Sequence, residues 1–170
     1  YVEMPAIDIP HCPLSDVTDK QAALEAARAL RQAWRIPSGP APHLVRTAEH
    51  HGVIIIFSPE DAACVDAYSV ETNARPIIVL NPLKGDYCRQ RFDVGHELGH
   101  LVMHADAEPG SREVERQADA FAAELLLPSD EIASELPPRL NWPRLQQLRE
   151  RWGASMQALF RNPMADPGIV

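Results

Sequence analysis

The sequence predicts an α+β fold, a small sheet followed by helices, and three observations carry that prediction. Residues 53–57 and 76–80 are short, β-branched-rich runs bounded by turn residues, with a weaker run at 65–70 between them, which reads as three strands. From Arg89 onward the spacing of apolar residues changes to the helical period of about 3.6. The chain has 170 residues, 45% of them hydrophobic, which suffices for one domain with its own core and would be cramped for two.

Taken in order, residues 1–17 read as an extended lead-in. Thr18 with Gln21 fits a capping box, and Leu24, Ala27, Leu30 and Trp34 then recur at helical spacing up to a breaker at 36–42. A second short helix carries Leu44, Val45 and Ala48, with His50 and His51 as its C-terminal cap before Gly52. After the strands, helices are expected over 89–105 and 112–127, the second stopped by Pro128. Leu145, Leu148 and Trp152, then Gly153, then Met156, Leu159 and Phe160 describe two short helices around a glycine turn. The expected organisation is a lead-in (1–17), a main domain (18–136), a C-terminal helical appendage packed on it (137–162) and a tail (163–170).

Sixteen Lys and Arg against 24 Asp and Glu give a net charge of −8, which argues against a whole-surface binder of nucleic acid or anionic membrane. The longest apolar runs fall far short of the roughly 20 residues that a membrane span needs. Three cysteines, Cys12, Cys64 and Cys88, are an odd number at unrelated spacings, which suits a reducing compartment and makes the cytoplasm the expected location.

The most informative residues are His96, Glu97, Leu98, Gly99 and His100, an H-E-x-x-H sequence within a predicted helix. Four residues advance a helix by about 40° beyond one turn, so both histidines point the same way and can share a zinc ion, with Glu97 beside them. Around that helix Val94, Leu98, Leu101, Val102 and Ala105 fall on one side and the histidines with Glu97 on the other, flanked by Phe92 and Met103. A helix with apolar or site-forming residues on both faces belongs in the middle of a domain. Gly95 and Gly99 each cost about 1 kcal/mol of helix propensity relative to Ala, which implies close approach by a neighbouring element.

Structural zinc sites usually close with cysteine, and no C-x-x-C pair accompanies these histidines; a catalytic zinc takes three protein ligands, so a third is expected downstream. Glu113, Glu115 and Asp119 compete. The helical wheel puts Glu115 among Val114, Ala118, Ala122, Leu125 and Leu126, facing inward, with Asp119 one turn on. Glu113 falls beside Gln117 and Glu124 on what reads as a solvated polar face. Glu115 is therefore the expected ligand, and Asp119 the acceptor for the free ring N–H of a ligand histidine. His104 and Tyr87 are candidates to line the cleft. His11 and Cys12, side by side in the lead-in, would plug the open metal position if the thiolate reached it.

RFDVGHELGHLVMH followed by ERQADAFAAELLLP resembles the ImmA/IrrE family of zinc metallopeptidases, and the likeness extends from ALEAARALRQAWRIPSGP through RPIIVLN to LQQLRERWGASMQALFR. The resemblance implies a zincin-like domain with a small sheet packed on a central H-E-x-x-H helix and a short C-terminal helical pair. It implies one zinc per chain held by His96, His100 and Glu115, with Glu97 as general base. It also implies a protein substrate, a DNA-binding repressor of helix-turn-helix type in a mobile-element or stress-response switch. Some members carry an N-terminal helix-turn-helix domain, and none is legible in these residues. The family's last helix usually continues past RWGASMQALFR, whereas Asn162 and Pro163 break it here.

The residues alone support the same chemistry, a metal-activated water giving its proton to Glu97 and attacking a peptide carbonyl. A reading from another class rests on the tail. Arg139, Arg144, Arg149, Arg151 and Arg161 face only Glu150 between Pro138 and Asn162, and the two helices superficially match a helix-turn-helix, so the alternative is a zinc-stabilised sensor or DNA-binding module without proteolysis. Against it, Leu145, Leu148 and Trp152 read as docking residues, and four net positive charges give weak, salt-sensitive DNA affinity at best.

Overall fold

The computed structural model describes residues 3–13, 19–59, 66–72, 74–83, 85–104 and 111–161, among which the chain forms seven helices and a three-stranded sheet, an α+β fold. Helix α1 (Lys20–Ala33) starts from Asp19, whose carboxylate accepts the Ala22 N–H at 3.1 Å and so satisfies one of the free amides of the first turn. The cap expected at Thr18 falls outside the described residues. Helix α2 (Leu44–His50) ends at His51, which stacks on Trp34 with ring centroids 4.6 Å apart. The extended segment ahead of α1 is tied across this corner: the Asp8 N–H donates to His51 O, and the Trp34 indole donates to Asp8 O at 2.7 Å.

Strands β1 (Ile54–Phe57), β2 (Ala67–Glu71) and β3 (Pro76–Leu80) form a sheet in the order β1-β3-β2. β3 runs parallel to β1 and antiparallel to β2. An unbroken apolar run suits a strand covered on both faces, and β3, nearly all buried, is the central one. β2 begins two residues later than expected; Val65 lies outside the described residues. As an edge strand it sets Ser69 opposite Ile78 and touches the next helix.

That helix, α3 (Tyr87–Met103), contains the H-E-x-x-H sequence and begins from Asp86, which accepts the Arg89 N–H at 3.0 Å. It contacts α1, α2, β2, β3 and α4 (Arg112–Leu126), and buries Val94, Leu98, Leu101 and Val102. The reason for its two glycines is visible. A Cβ on Gly99 would stand 3.1 Å from the Phe121 ring and 3.3 Å from Ala118 Cα, and one on Gly95 would stand 3.3 Å from Ala122 Cβ, so α4 packs against bare backbone.

The wheel of α4 needs one correction. Its supposed solvated face is buried: Gln117 is 1% and Glu124 3% exposed, because α1 covers that side. The polarity is satisfied within the protein, Glu124 accepting from Arg28 Nε at 2.8 Å and from the Ser129 N–H at 3.1 Å. Ser129 opens a short helix that the sequence reading missed, α5 (Ser129–Ala133), directly after the stop at Pro128.

Helices α6 (Trp142–Trp152) and α7 (Met156–Arg161) meet at Gly153 and form a second apolar cluster with Leu127 and Ile132. Buried Arg91 on α3 fastens them to the rest, donating to Gly153 O at 3.2 Å and to Ala41 O at 2.9 Å. The break expected at Asn162 and Pro163 lies outside the described residues. Among the described residues, no helix is long and apolar enough to cross a membrane.

Candidate metal centre

Helical spacing sets His96 and His100 on one face of α3, and the α3–α4 contact brings Glu115 to them. His96 Nε2 and His100 Nε2 are 3.1 Å apart, Glu115 Oε2 is 3.2 Å from the first, and Glu115 Oε1 is 3.6 Å from the second. Among the described residues these three form the one group of His, Cys, Asp or Glu side chains whose donor atoms converge within 4.8 Å. Zinc binds nitrogen and oxygen at about 2.0–2.2 Å, which in a tetrahedron separates neighbouring ligand atoms by about 3.4 Å. The observed spacings bracket that value, so the donor set and its geometry fit a zinc ion with one position left over.

The second ring nitrogen of each histidine has its own partner. His96 Nδ1 donates to Asp119 Oδ1 at 2.9 Å. His100 Nδ1 lies 3.1 Å from His104 Nδ1, and His104 Nε2 lies 2.9 Å from Gln117 Oε1. Glu97, 5% exposed, accepts from Ser69 Oγ at 2.6 Å. Sequence reasoning missed both Ser69 and Gln117.

The same surroundings tune the titrating groups. Burial pulls the His96 imidazole down, but the hydrogen bond to Asp119 and the charges of Glu97, Asp119 and Glu115 outweigh it, leaving His96 above its ordinary value. His100 is pulled down to about 4, first by burial and then by the charges of His96 and His104. Burial likewise lowers His104, against its hydrogen bond to Gln117. Glu97 is raised, chiefly by burial, over the opposing Ser69 hydrogen bond and the nearby His96. A carboxylate moved toward neutrality is a stronger proton acceptor than an ordinary one.

These groups open onto a cleft of about 1410 Å³ lined by residues of β2, α3 and α4 and also by Ala154 and Ala158. Glu115 is not buried as the wheel suggested; its side chain is 47% exposed and faces this cleft. His104, 9% exposed, is among the residues lining the cleft, next to His100. Tyr87 stands outside the cleft lining, 61% exposed, with Arg91 over its ring. Cys12 packs against the main core, its N–H donating to Val102 O at 2.9 Å, and neither it nor His11 joins the converging group.

Residues 48–162, more than half of the chain, match the family model Peptidase_M78, described as the IrrE N-terminal-like domain. A comparison with curated proteins gave no significant match. The matched span contains both histidines, Glu97 and Glu115, and it agrees with the ImmA/IrrE resemblance of the sequence. The chain belongs to the IrrE N-terminal-like family of metallopeptidases.

Proposed function

We propose that this protein is a zinc-dependent endopeptidase of zincin-like architecture that cleaves a DNA-binding repressor of helix-turn-helix type in the cytoplasm, as part of a mobile-element or stress-response switch. The observation that carries the catalytic part is the spacing of the His96, His100 and Glu115 donor atoms, 3.1–3.6 Å apart as a tetrahedral ion requires, with Glu97 following His96 on the same helix and lining the same cleft. The repressor substrate rests on the family resemblance.

When bound, zinc supplies Lewis acidity, polarising a peptide carbonyl and making water acidic near neutral pH. Glu97 takes the proton of the attacking water at one carboxylate oxygen while Ser69 holds the other, then delivers it to the leaving amine. Asp119 fixes the His96 ring through Nδ1, so that Nε2 presents its lone pair to the ion. Burial of Glu97 keeps bulk water away from the proton it carries.

The DNA-binding alternative draws less support. Arg144 and Arg151 pair with Glu135 at 3.6 and 2.7 Å, and Arg149 with Asp86 at 3.8 Å, so these charges are already engaged within the protein. The test of the proposal is incubation of the zinc-loaded protein with a co-encoded helix-turn-helix repressor, with fragments read by mass spectrometry. A discrete cleavage that a chelator abolishes is the expected result. A repressor left intact by a protein carrying stoichiometric zinc would overturn the substrate assignment, and a protein that takes up no divalent metal would overturn the peptidase reading.

A further inference from the structure

We propose that His104 and Gln117 are positioning residues that set the tautomer of His100, through a one-way chain of hydrogen bonds anchored at the start of α1. The inference rests on the zinc site proposed above and concerns residues that do not touch the ion.

The direction of the chain follows from its far end. The backbone oxygen of Asp19 can only accept, and Gln117 Nε2 donates to it at 3.2 Å. That fixes the amide, so Gln117 Oε1 is the atom facing His104 Nε2 at 2.9 Å, and an amide oxygen can only accept. His104 must therefore carry its proton on Nε2. In a neutral imidazole Nδ1 is then an acceptor, and the atom it meets at 3.1 Å, His100 Nδ1, must be the donor. With its proton on Nδ1, His100 is left with a bare lone pair on Nε2, the atom 3.1 Å from His96 Nε2 and 3.6 Å from Glu115. Each link has one permitted direction, and the order ends with His100 prepared for metal.

Burial makes the chain binding. Gln117 is 1% exposed and His104 9%, so a reversed link, which would set two donors or two acceptors face to face, has no ready exchange with water to relieve it. The anchor is well placed, because Asp19 is itself held at the N-terminus of α1 by its cap to Ala22. The seating of α1 on α4 thus reaches the metal ligand through two side chains.

The test measures tautomers and metal affinity rather than proteolysis. Long-range proton–nitrogen spectra of the ring nitrogens in the zinc-loaded, otherwise unmodified protein should show His104 protonated at Nε2 and His100 at Nδ1. His104 protonated at Nδ1 would overturn the chain without any substitution. Zinc affinity, read by competition with a chromogenic chelator, should fall about 10- to 100-fold in His104→Phe, which keeps the ring's bulk and loses the acceptor. His104→Asn, whose amide oxygen can take the place of Nδ1, should recover much of that loss, and Gln117→Met should lower affinity in the same direction as His104→Phe. Equal affinity in His104→Phe and the unmodified chain would overturn the chain alone, and equal losses in Phe and Asn would do the same by showing a packing role. An unmodified protein that bound no zinc would overturn the metal site itself and the chain with it.

Discussion

His96 and His100 lie one turn apart on α3 and converge on the same glutamate, but their surroundings differ. His96 donates to Asp119, a carboxylate 57% exposed at the rim of the cleft. His100 is backed by His104 and Gln117, both neutral and both buried. The carboxylate raises His96 and makes it the more basic ligand, and burial pulls His100 to about 4. The two rings are about equally covered, but the partner that holds one is a charge at the solvent edge and the partner that holds the other is a buried hydrogen-bonding group. A metal site assembled this way responds to pH through one ligand and to packing through the other.

The largest expected effect leaves both supports alone. Glu97→Gln keeps the shape and the hydrogen bond from Ser69 but cannot accept a proton. Cleavage should fall by about 10²- to 10⁴-fold with zinc still bound at neutral pH, although losing the Glu97 charge lowers His96. Parallel assays of repressor cleavage and bound zinc would check it. Cleavage by Glu97→Gln at the rate of the unmodified protein would mean that the proton goes elsewhere.

A smaller effect separates the two histidines directly. Asp119→Asn should weaken zinc binding at neutral pH by about 10- to 100-fold, the usual cost of losing such a partner. The pH dependence should change as well. Zinc binds neutral imidazole, so affinity falls as pH drops through the raised titration of His96, while His100, at about 4, stays neutral throughout that window. Removing the carboxylate lowers His96, and the acid-side loss should shift to lower pH in the variant. Zinc titrations between pH 5 and 8 would show the two curves converging on acidification; parallel curves would mean that Asp119 does not govern proton competition at His96.

This asymmetry marks what the sequence could and could not reveal. Helical spacing within one segment placed His96, Glu97 and His100 on one face of α3, and the wheel of α4 picked out Glu115 and Asp119, because each inference needs only one helix. The strands at 54–57 and 76–80 were legible for the same reason, as local runs with local stops. Gln117 and Glu124 were read as solvated because a wheel shows which face is polar and not what covers it. The covering element is α1, 98 residues earlier in the chain at the Asp19 contact, and its alanine-rich stripe was a signal that it packs closely on something. Ser69 was missed because its partner lies 28 residues away across the β2–α3 contact, and one serine in a weak strand carries no period.

The smallest effect addresses what the two supports share. Asp119 and Gln117 both sit on α4, on either side of Ala118, and Ala118 is the backbone against which Gly99 packs. In Gly99→Ala, helix propensity gains about 1 kcal/mol, but the new methyl would stand 3.1 Å from the fully buried Phe121 ring and 3.3 Å from Ala118 Cα. Overpacking of this kind costs about 1–3 kcal/mol, and because backbone cannot swing aside as a side-chain end can, the cost should outweigh the gain, for a net loss of about 1 kcal/mol. Denaturant melts of the metal-free protein would measure it. Gly95→Ala meets Ala122 Cβ at 3.3 Å, one turn farther along and away from both supports, and should cost less. Pushing α4 off at Ala118 moves the partners of both histidines together, so Gly99→Ala should weaken zinc binding and, as Asp119 loosens from His96, move the acid-side loss part of the way toward its place in Asp119→Asn. Weaker binding with a pH curve that does not move at all would mean that Asp119 keeps its hold on His96 and that the helix contact serves the interior support of His100 alone.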